Sequence, residues 1–324
     1  MRILGREALE AVLPPDDVIA AVEDAFRECA AGRATALPRA VLPMGRHGVF
    51  LAMVSALPRL GALGTKLVTV VQRNQSRGLP TIHASYLLTD PETGAPLALM
   101  EAGFLTGLRT GATSALAARY LARSDARVVA CFGAGVQARF QLLCLSRILP
   151  LAEVRVVGRD PGRAAAFAAG MGRELGILVR VAASPKAAVT GADVITCATT
   201  ASRPVFSGRD LAPGAHVDAV GAFRPTTREV DTLTIQKSRV VVDTYEGAWE
   251  EAGDLLIPLE AGAIGRRHVK AELAELVAGA RRGRTSPREI TLFKSVGFAP
   301  EDAVTARLAY DRAMAADLGT EVSL

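Results

Sequence analysis

The sequence predicts an α/β protein with two domains, one built on a doubly wound parallel sheet and the other an α+β domain with an antiparallel sheet. Strand-like and helix-like segments alternate from about residue 127 onward, which is typical of parallel strands joined by crossover helices. Between residues 48 and 90 the pattern is instead that of consecutive strands. A length of 324 residues is enough for two domains with a core each. We place the α+β domain at 1–120 and 300–324, and the parallel-sheet domain at 121–299.

The α+β domain begins with a helix and continues with strands. Residues 15–32 have helical periodicity, and a turn rich in Pro and Gly, DPETGAP, follows the predicted strands. Those strands are GVFLAMVSAL, ALGTKLVTVV and TIHASYLLTD. Residues 105–125 return to helical periodicity with many small residues, and 301–319 form an amphipathic helix that we expect to pack back on this domain.

The parallel-sheet domain alternates short apolar strands with helices. The predicted strands, some with the turn that follows, are ARVVACFGAG, EVRVVGRD, ILVRVAA, ADVITCATT, AHVDAVGA and SRVVVDT. Helical segments, VQARFQLLCLSRIL and PGRAAAFAAGMGREL, separate the first three of them. This order predicts helices on both faces of one parallel sheet.

A glycine turn identifies the ligand class of this domain. Gly133, Gly135 and Ala138 form a G-x-G-x-x-A pattern between an apolar strand and a helix. The first glycine permits the tight turn, the second lets the backbone approach a pyrophosphate, and the third small residue allows close helix–strand packing. The N–H groups at the start of the helix bind the phosphates. The context predicts a Rossmann domain that binds a nicotinamide dinucleotide.

The end of the second strand favours NADP(H). An acid there would bind the ribose 2′-hydroxyl group, whereas an arginine accommodates a 2′-phosphate. The sequence has Gly158 at the expected acidic position, followed by Arg159 and Asp160. Arg159 supports NADP(H), while Asp160 keeps NAD(H) possible unless it only caps the next helix.

Three cations of the α+β domain stand in unusual settings: Arg39, Lys66 and Arg109. Lys66 lies in the apolar strand LGALGTKLVTVV and is one of only five lysines among 38 lysines and arginines. A buried ammonium needs a partner, which is either a structural acid or an anionic ligand. Arginine can hold a carboxylate by two hydrogen bonds, and lysine offers a donor with an adjustable pKa. Together they predict a site for a small carboxylate, which would serve as the partner of Lys66.

His83, in PTIHASYLL, is a further candidate for substrate binding. It could face the nicotinamide and relay a proton, or it could be a core histidine with satisfied hydrogen bonds.

Composition argues against several other classes of function. The net charge of +5 comes from scattered arginines with few aromatic residues between them, so we expect no nucleic-acid partner. Four widely spaced cysteines predict neither a metal site nor disulfides, and fit a cytoplasmic protein. No apolar run has membrane-spanning length and no signal-peptide pattern is present, so we expect no membrane partner.

Several longer motifs resemble the ornithine cyclodeaminase/mu-crystallin family, in the right order and over nearly the whole chain. They are GTKLVTVVQRNQSRGLPTIHASYLLTDPETGAPLALMEAGFLTGLRTGATSALAARYLA, GAGVQA, AVGAFRPTTREVD and FKSVGFAPEDAVTA. The resemblance implies that the α+β domain binds substrate and dimerises, that the C-terminal helix completes it, and that the protein is a homodimer.

The resemblance also implies site residues. Arg39, Lys66 and Arg109 match the family's substrate-binding and catalytic cations. The positions matching the cofactor site are Gly133, Gly135, Val136 and Gln137 in the pyrophosphate turn, Thr199 and Val220 in the cleft, and Ser295 and Gly297 in the segment over the nicotinamide.

Departures from the family pattern point to the chemistry. Cyclodeaminases carry an aspartate where this chain has Phe223, and a glutamate in the strand that here reads VFLAMVSA. Members without these acids resemble reductases of cyclic ketimines, such as pyrroline- or piperideine-2-carboxylate. We therefore expect NAD(P)H-dependent reduction of a C=N bond beside a carboxylate. Alternatives are an amino-acid dehydrogenase acting on a 2-oxo acid, a redox-neutral ornithine cyclodeaminase, and a non-catalytic, crystallin-like NADPH-binding protein.

Overall fold

The computed structural model describes residues 1–323, which form two compact units. The N-terminal unit comprises Met1–Arg109 and the C-terminal segment from Ala299, and the central unit comprises Thr110–Phe298. The strands are β1 (Arg2–Leu4), β2 (Thr35–Ala36), β3 (Ala40–Pro43), β4 (Val49–Leu57), β5 (Ala62–Val70), β6 (Ile82–Thr89), β7 (Pro96–Glu101), β8 (Val128–Phe132), β9 (Glu153–Val157), β10 (Leu178–Val181), β11 (Val194–Cys197), β12 (His216–Ala219), β13 (Ser238–Val242), β14 (Val269–Glu272), β15 (Ile290–Lys294) and β16 (Thr320–Glu321).

The helices alternate with these strands, mostly in the central unit. They are α1 (Arg6–Val12), α2 (Pro15–Ala30), α3 (Ala102–Leu121), α4 (Val136–Leu145), α5 (Pro161–Leu175), α6 (Pro185–Val189), α7 (Thr232–Lys237), α8 (Tyr245–Glu251), α9 (Gly253–Glu260), α10 (Leu273–Val277) and α11 (Ala299–Ala315). Short 3₁₀ helices span Pro58–Leu60, Gln72–Arg77 and Arg266–His268.

The N-terminal unit is built on one sheet with the order β16-β1-β7-β6-β5-β4-β2, to which β3 adds beside β4. Its strands pair antiparallel except for β1 and β7, which are parallel. Buried residues alternate with accessible ones along β4 and β5, because successive side chains of a strand point to opposite faces. The inner face packs on α11, which also contacts α2.

The opposite face of this sheet is not covered within the N-terminal unit. Ile3, Leu99, Leu87, Thr65 and Val54 are successive cross-strand neighbours on that outer face, in β1, β7, β6, β5 and β4. Leu87 and Leu99 are 38% and 37% exposed. Four of these five side chains are apolar, and we call the five residues the apolar row.

The central unit is built on an all-parallel sheet with the order β10-β9-β8-β11-β12-β15-β13-β14. Both faces of β8 are buried, since Ala130 and Phe132 belong to one hydrophobic cluster and Val129 and Cys131 to another. The chain runs from β8 to β9 and β10 on one side, and returns to place β11 on the other. This reversal is the topological switch point, where doubly wound sheets bind ligands at the carboxyl ends of their strands. The predicted fold class, with one doubly wound parallel sheet and one α+β unit, is confirmed.

The first boundary between the units lies inside α3, between Arg109 and Thr110, whereas the sequence pattern predicts it at residue 120. Small residues of α3 explain the difference. A Cβ atom on Gly111 would lie 2.4 Å from the carbonyl oxygen of Phe140 on α4, so this part of α3 packs closely within the central unit.

Within residues 1–323, no helix combines the length and apolar character needed to cross a bilayer. In the same range no group of three or more His, Cys, Asp or Glu side chains is arranged to hold a metal ion.

Candidate active site and cofactor-binding loops

Lys66 lies in the middle of β5 on the inner face of the sheet. Its cross-strand neighbours are Met53 on β4 and Tyr86 on β6. Only 1% of Lys66 is exposed, so its ammonium group is removed from water. The alternation along β5 dictates this burial, because Gly64, Lys66 and Val68 share one face.

The partner of Lys66 is Asp302, in the first turn of α11. Lys66 Nζ donates to Asp302 Oδ2 at 2.6 Å, and Arg109 Nε donates to Asp302 Oδ1 at 2.9 Å. Arg109 Nη1 donates in turn to Glu301 Oε2 at 2.6 Å. All four side chains are buried. We call Lys66, Arg109, Glu301 and Asp302 the buried ion cluster.

The buried ion cluster corrects one expectation from the sequence. We expected a substrate carboxylate to be the partner of Lys66, but a structural acid already pairs with it. Asp302 bridges both cations, and two buried positive charges face two buried negative charges. Buried charges are stable only when they are paired in this way.

Burial sets the protonation chemistry of Lys66. Desolvation, helped by the positive charge of Arg109, lowers the pKa of Lys66 from its usual 10.5 to about 8, although Asp302 opposes the shift. For Arg109 burial acts in the same direction, but Asp302 and Glu301 outweigh it and raise the pKa of the guanidinium. Lys66 can therefore exchange a proton near neutral pH, whereas Arg109 is a permanent cation.

Arg39 lies within electrostatic reach of this cluster. It stands between β2 and β3 and is half-buried. Its positive charge contributes to the lowered pKa of Lys66. The structure thus brings together Arg39, Lys66 and Arg109, the three cations that the sequence singled out.

His83 is not brought to the cluster. It pairs across the sheet with Thr69 and is exposed on the outer face, whereas Tyr86 and Lys66 lie on the inner face. Residues three apart on a strand point to opposite faces, which is why His83 and Tyr86 separate. The exposed position excludes the core-histidine alternative, and a contact of His83 with the nicotinamide stays a prediction.

Three residues of the site were missed in the sequence. Glu301 and Asp302 are adjacent acids in APEDAVTA, where they resemble an ordinary acidic first turn of a helix. Their small apolar neighbours were the available signal for burial. Tyr86 is the third. Within the described residues its hydroxyl group has no hydrogen-bond partner. Burial is the main cause that raises the pKa of Tyr86, and the negative charge of Asp302 adds to it. Tyr86 is therefore a neutral phenol beside the cluster.

The glycine turn follows β8 as predicted and fits a pyrophosphate. Gly133 has φ +116°, and a Cβ atom there would lie 2.5 Å from the carbonyl oxygen of Ala198. Nothing lies within 4 Å of the position of a Cβ atom on Gly135. Helix α4 starts at Val136 without a side-chain cap, and Val136 is 66% exposed. This arrangement leaves the helix N-terminus accessible to an anion, and Gln137 is its second residue.

Asp160 and Arg159 have distinct positions after β9. Asp160 Oδ1 accepts a hydrogen bond from the backbone N–H of Arg163 at 2.9 Å, so it caps α5. Arg159 is exposed at the end of the strand. Asp160 is thus the N-cap residue of α5, one of the two roles that the sequence left open.

The remaining cofactor candidates also follow carboxyl ends of parallel strands. Thr199 comes after β11, Val220 after β12, and Ser295 and Gly297 after β15. Asp243, after β13, accepts hydrogen bonds from Ser295 Oγ at 2.8 Å and from the Gly297 N–H at 2.9 Å. All these candidates therefore stand at the edge of the sheet where doubly wound proteins bind dinucleotides.

An α/β unit with the glycine turn of dinucleotide-binding proteins and an α+β unit with a buried ion cluster define a class of nicotinamide-dependent protein. The model of the ornithine cyclodeaminase/mu-crystallin family matches residues 3–317. The chain therefore belongs to this family, as the sequence motifs predicted.

Relatives of known activity and structure extend this assignment. The chain is 37% identical to a Δ1-pyrroline-2-carboxylate reductase of Bacillus cereus over 309 residues, which cover 95% of each chain. It is similar to the structure of the Thermococcus litoralis Δ1-pyrroline-2-carboxylate reductase in complex with NADH and L-proline, with 44% identity, a TM-score of 0.98 and coverage of 99% and 100%. An archaeal alanine dehydrogenase dimer with bound NAD gives 35% identity, a TM-score of 0.94 and coverage of 100% and 99%.

Proposed function

We propose that this protein is an NAD(P)H-dependent oxidoreductase that reduces a C=N bond beside a carboxylate, in a cyclic ketimine such as pyrroline- or piperideine-2-carboxylate. The observation that carries the proposal is the buried ion cluster together with Arg39. There Lys66 and Arg109 lie side chain to side chain on Asp302, and Arg39 is close enough to affect the pKa of Lys66. Neighbouring lysine and arginine side chains of this kind suit a carboxylate ligand. The reductases among the relatives support the same reaction.

Each cation has a proposed part in the reaction. Arg39 binds the substrate carboxylate, and Arg109 completes the carboxylate site while its bonds to Glu301 and Asp302 fix its position. Lys66, oriented by Asp302, keeps the imine nitrogen protonated. A protonated imine accepts hydride more readily, so a positioned acid lowers the barrier. When bound, the reduced nicotinamide supplies the hydride.

We propose NADP(H) as the preferred cofactor, with NAD(H) also accepted. Gly158 leaves no carboxylate at the end of β9, and Arg159 is exposed there. Asp160 is occupied in capping α5. An exposed arginine can bind a 2′-phosphate, which an acid would repel. The solved relatives hold NADH or NAD, so the preference of this chain needs direct comparison of both cofactors.

The proposal includes a homodimer in the cytoplasm. The uncovered apolar row on the outer face supports self-association, as does the dimer of the archaeal alanine dehydrogenase. All four cysteines are free thiols, which is consistent with a reducing compartment.

One assay tests the reaction. NADPH and NADH oxidation are measured with pyrroline-2-carboxylate, with piperideine-2-carboxylate, and with 2-oxo acids plus ammonia. We expect the cyclic imines to have the higher kcat/KM. Turnover of pyruvate and ammonia alone would instead favour the amino-acid dehydrogenase, which the similarity to alanine dehydrogenase makes the second candidate.

An ornithine control completes this assay. Ammonia release from ornithine without net change in NAD(P)H would overturn the proposal in favour of a cyclodeaminase. We expect none, because Phe223 stands where cyclodeaminases carry the acid for the side-chain amine, and its ring faces the guanidinium of Arg224 at 5.8 Å.

A further inference from the structure

Glu229 joins the loops that follow β11 and β12. Its carboxylate is fully buried. Oε1 accepts hydrogen bonds from the Thr199 N–H and the Thr199 hydroxyl, both at 2.7 Å. Oε2 accepts from the N–H groups of Gly221, at 2.7 Å, and Ala222, at 3.1 Å. One side chain therefore satisfies donors from two loops.

The backbone N–H groups of Thr199 and Gly221 lie just beyond the last hydrogen bonds of the sheet. The pairing of adjacent strands ends with the hydrogen bonds from Ala198 N to Phe132 O and from Val220 N to Cys197 O. The next N–H groups, of Thr199 and Gly221, turn to Glu229 instead. The two loops also touch, since a Cβ atom on Gly221 would lie 2.4 Å from the carbonyl oxygen of Thr199.

Only a carboxylate fits this position. Both oxygens accept two hydrogen bonds, whereas a glutamine would present an NH₂ group to one of the loops. Burial and the charge of Asp254 raise the pKa of Glu229, whereas Lys294 and the hydrogen bonds from Thr199 oppose the shift. A buried network continues from the Glu229 backbone. Asp254 accepts from the Glu229 N–H at 2.7 Å and pairs with Lys294 Nζ at 2.9 Å, and Lys294 also donates to the carbonyl oxygen of Ala222. The network therefore links the ends of β11, β12 and β15.

The strand order indicates which half of a dinucleotide would lie beside this network. The glycine turn after β8 lies at the switch point, with β9 and Arg159 on one side and β11 and β12 on the other. In such sheets the two mononucleotide halves of the ligand occupy the two sides. The Arg159 side suits the adenosine half, and the side of Thr199 and Val220 suits the nicotinamide half.

We propose that Glu229 is a positioning residue that shapes the nicotinamide half of the cofactor site. It does so by holding the Thr199 and Gly221 backbones together, without touching the cofactor. This inference rests on the proposed function only in requiring that the central unit bind a nicotinamide dinucleotide.

The test compares two ligands in the full-length Glu229→Gln variant. NADPH carries both halves, and ADP-ribose 2′-phosphate lacks the nicotinamide; NADH and ADP-ribose form the equivalent pair. Calorimetry gives both dissociation constants. We expect the affinity for NADPH to fall at least about tenfold, the scale of losing buried hydrogen bonds to a charged acceptor. The affinity for ADP-ribose 2′-phosphate should be unchanged.

Asp231→Asn is the matched control. Asp231 also accepts backbone hydrogen bonds, from Gly208 at 3.1 Å and Thr234 at 2.7 Å, but it caps α7. We expect this variant to unfold at a lower temperature while binding NADPH as the wild type does. If Glu229→Gln does not fold, Glu229→Asp keeps the charge, shortens the reach, and allows the same comparison.

Three outcomes would overturn the assignment. They are an unchanged NADPH affinity in the folded Glu229 variant, an equal loss for both ligands, and an equal loss of NADPH affinity in Asp231→Asn. Failure of the wild-type protein to bind either dinucleotide would instead overturn the proposed function, and the assignment with it.

Discussion

Lys66 shows why a lysine stands where this chain usually has an arginine. Its compact ammonium reaches Asp302 at 2.6 Å between two strands, and its pKa of about 8 allows proton exchange. A guanidinium would fill more space and stay charged at every pH relevant to the reaction. Arg109, with bonds from Nε and Nη1 to two acids, uses the forked geometry that lysine lacks.

Removing the ammonium should separate catalysis from cofactor binding. In Lys66→Met, which keeps most of the side-chain volume, we expect kcat to fall by about 10²–10⁴, the usual contribution of a positioned acid or base. The dissociation constant for NADPH should not change, because the contacts of Lys66 lie in the N-terminal unit. Steady-state kinetics and fluorescence titration measure the two quantities. Wild-type turnover in this variant would exclude Lys66 as the proton-holding residue.

The lowered pKa of Lys66 predicts that kcat/KM falls on the alkaline side of its pH profile, which we call the basic limb. The ammonium form is lost as pH rises through about 8, so kcat/KM should decline above that pH. Lys66→Arg stays protonated, and its residual activity should lack this limb. A limb that persists in Lys66→Arg would belong to the substrate or to another group.

The same shift makes stability depend on pH with a defined sign. Between about 8 and 10.5 the unfolded chain keeps the Lys66 proton while the folded chain has released it. The unfolded state then binds more protons, so the contribution of Lys66 to the free energy of unfolding rises with pH in this window.

At the scale of elements, strand β5 and helix α11 illustrate what the sequence could predict. Alternation of apolar and polar residues predicts β5, and the glycine spacing predicts the turn after β8. Both features depend on residues close together in the sequence. The contact between Lys66 and Asp302 joins residues 236 positions apart, and no local pattern encodes it. The same holds for Glu229, whose partners lie in two other loops.

His83 shows a different limit of sequence reasoning. The local pattern predicts its strand, but not the face of the sheet on which its side chain lies. The face is set by register with β5, in which His83 pairs with Thr69. A shift of one residue exchanges the faces of a strand, so register decides the outcome.

The first turn of α11 should control the titration of Lys66. Asp302→Asn removes the anion that opposes the lowered pKa, so we expect the basic limb to move to a lower pH. Breaking a buried ion pair should also lower the free energy of unfolding by about 3–5 kcal/mol. Kinetic pH profiles and urea unfolding measure both effects.

Glu301→Gln is the control for Asp302→Asn. Glu301 bonds to Arg109 and not to Lys66, so the variant should lose stability while the limb stays near pH 8. An unmoved limb in Asp302→Asn would show that Asp302 does not set the protonation of Lys66.

The loop between β8 and α4 gives a prediction from two glycines in different environments. Gly135 has φ −120° and open space around it, so Gly135→Ala should leave the thermal stability unchanged but obstruct the approach of a pyrophosphate. Gly133→Ala should lose both stability and cofactor affinity, because of its φ of +116° and the nearby Ala198 oxygen. Calorimetric titration and thermal unfolding distinguish the two. Normal NADPH binding by Gly135→Ala would argue against a pyrophosphate at this turn.

At the scale of the whole molecule, charge and apolar surface point to different partners. The net charge of +5 arises from an excess of arginine and suits anionic small ligands, among them a dinucleotide and a carboxylate substrate. The outer face of the N-terminal sheet has another character. Four of the five side chains in its central row are apolar, and an isologous dimer would cover the same patch on both subunits at once.

Charging that row should separate the subunits. Leu87 lies near the centre of the row and is 38% exposed, so Leu87→Arg would bring two unpaired charges into a twofold interface. We expect the wild type to sediment as a dimer and Leu87→Arg as a monomer. Leu178→Arg, on β10 of the central unit, changes a leucine that is 58% exposed and should leave the dimer intact. A dimeric Leu87→Arg variant, or a monomeric wild type at micromolar concentration, would show that this face is not the subunit interface.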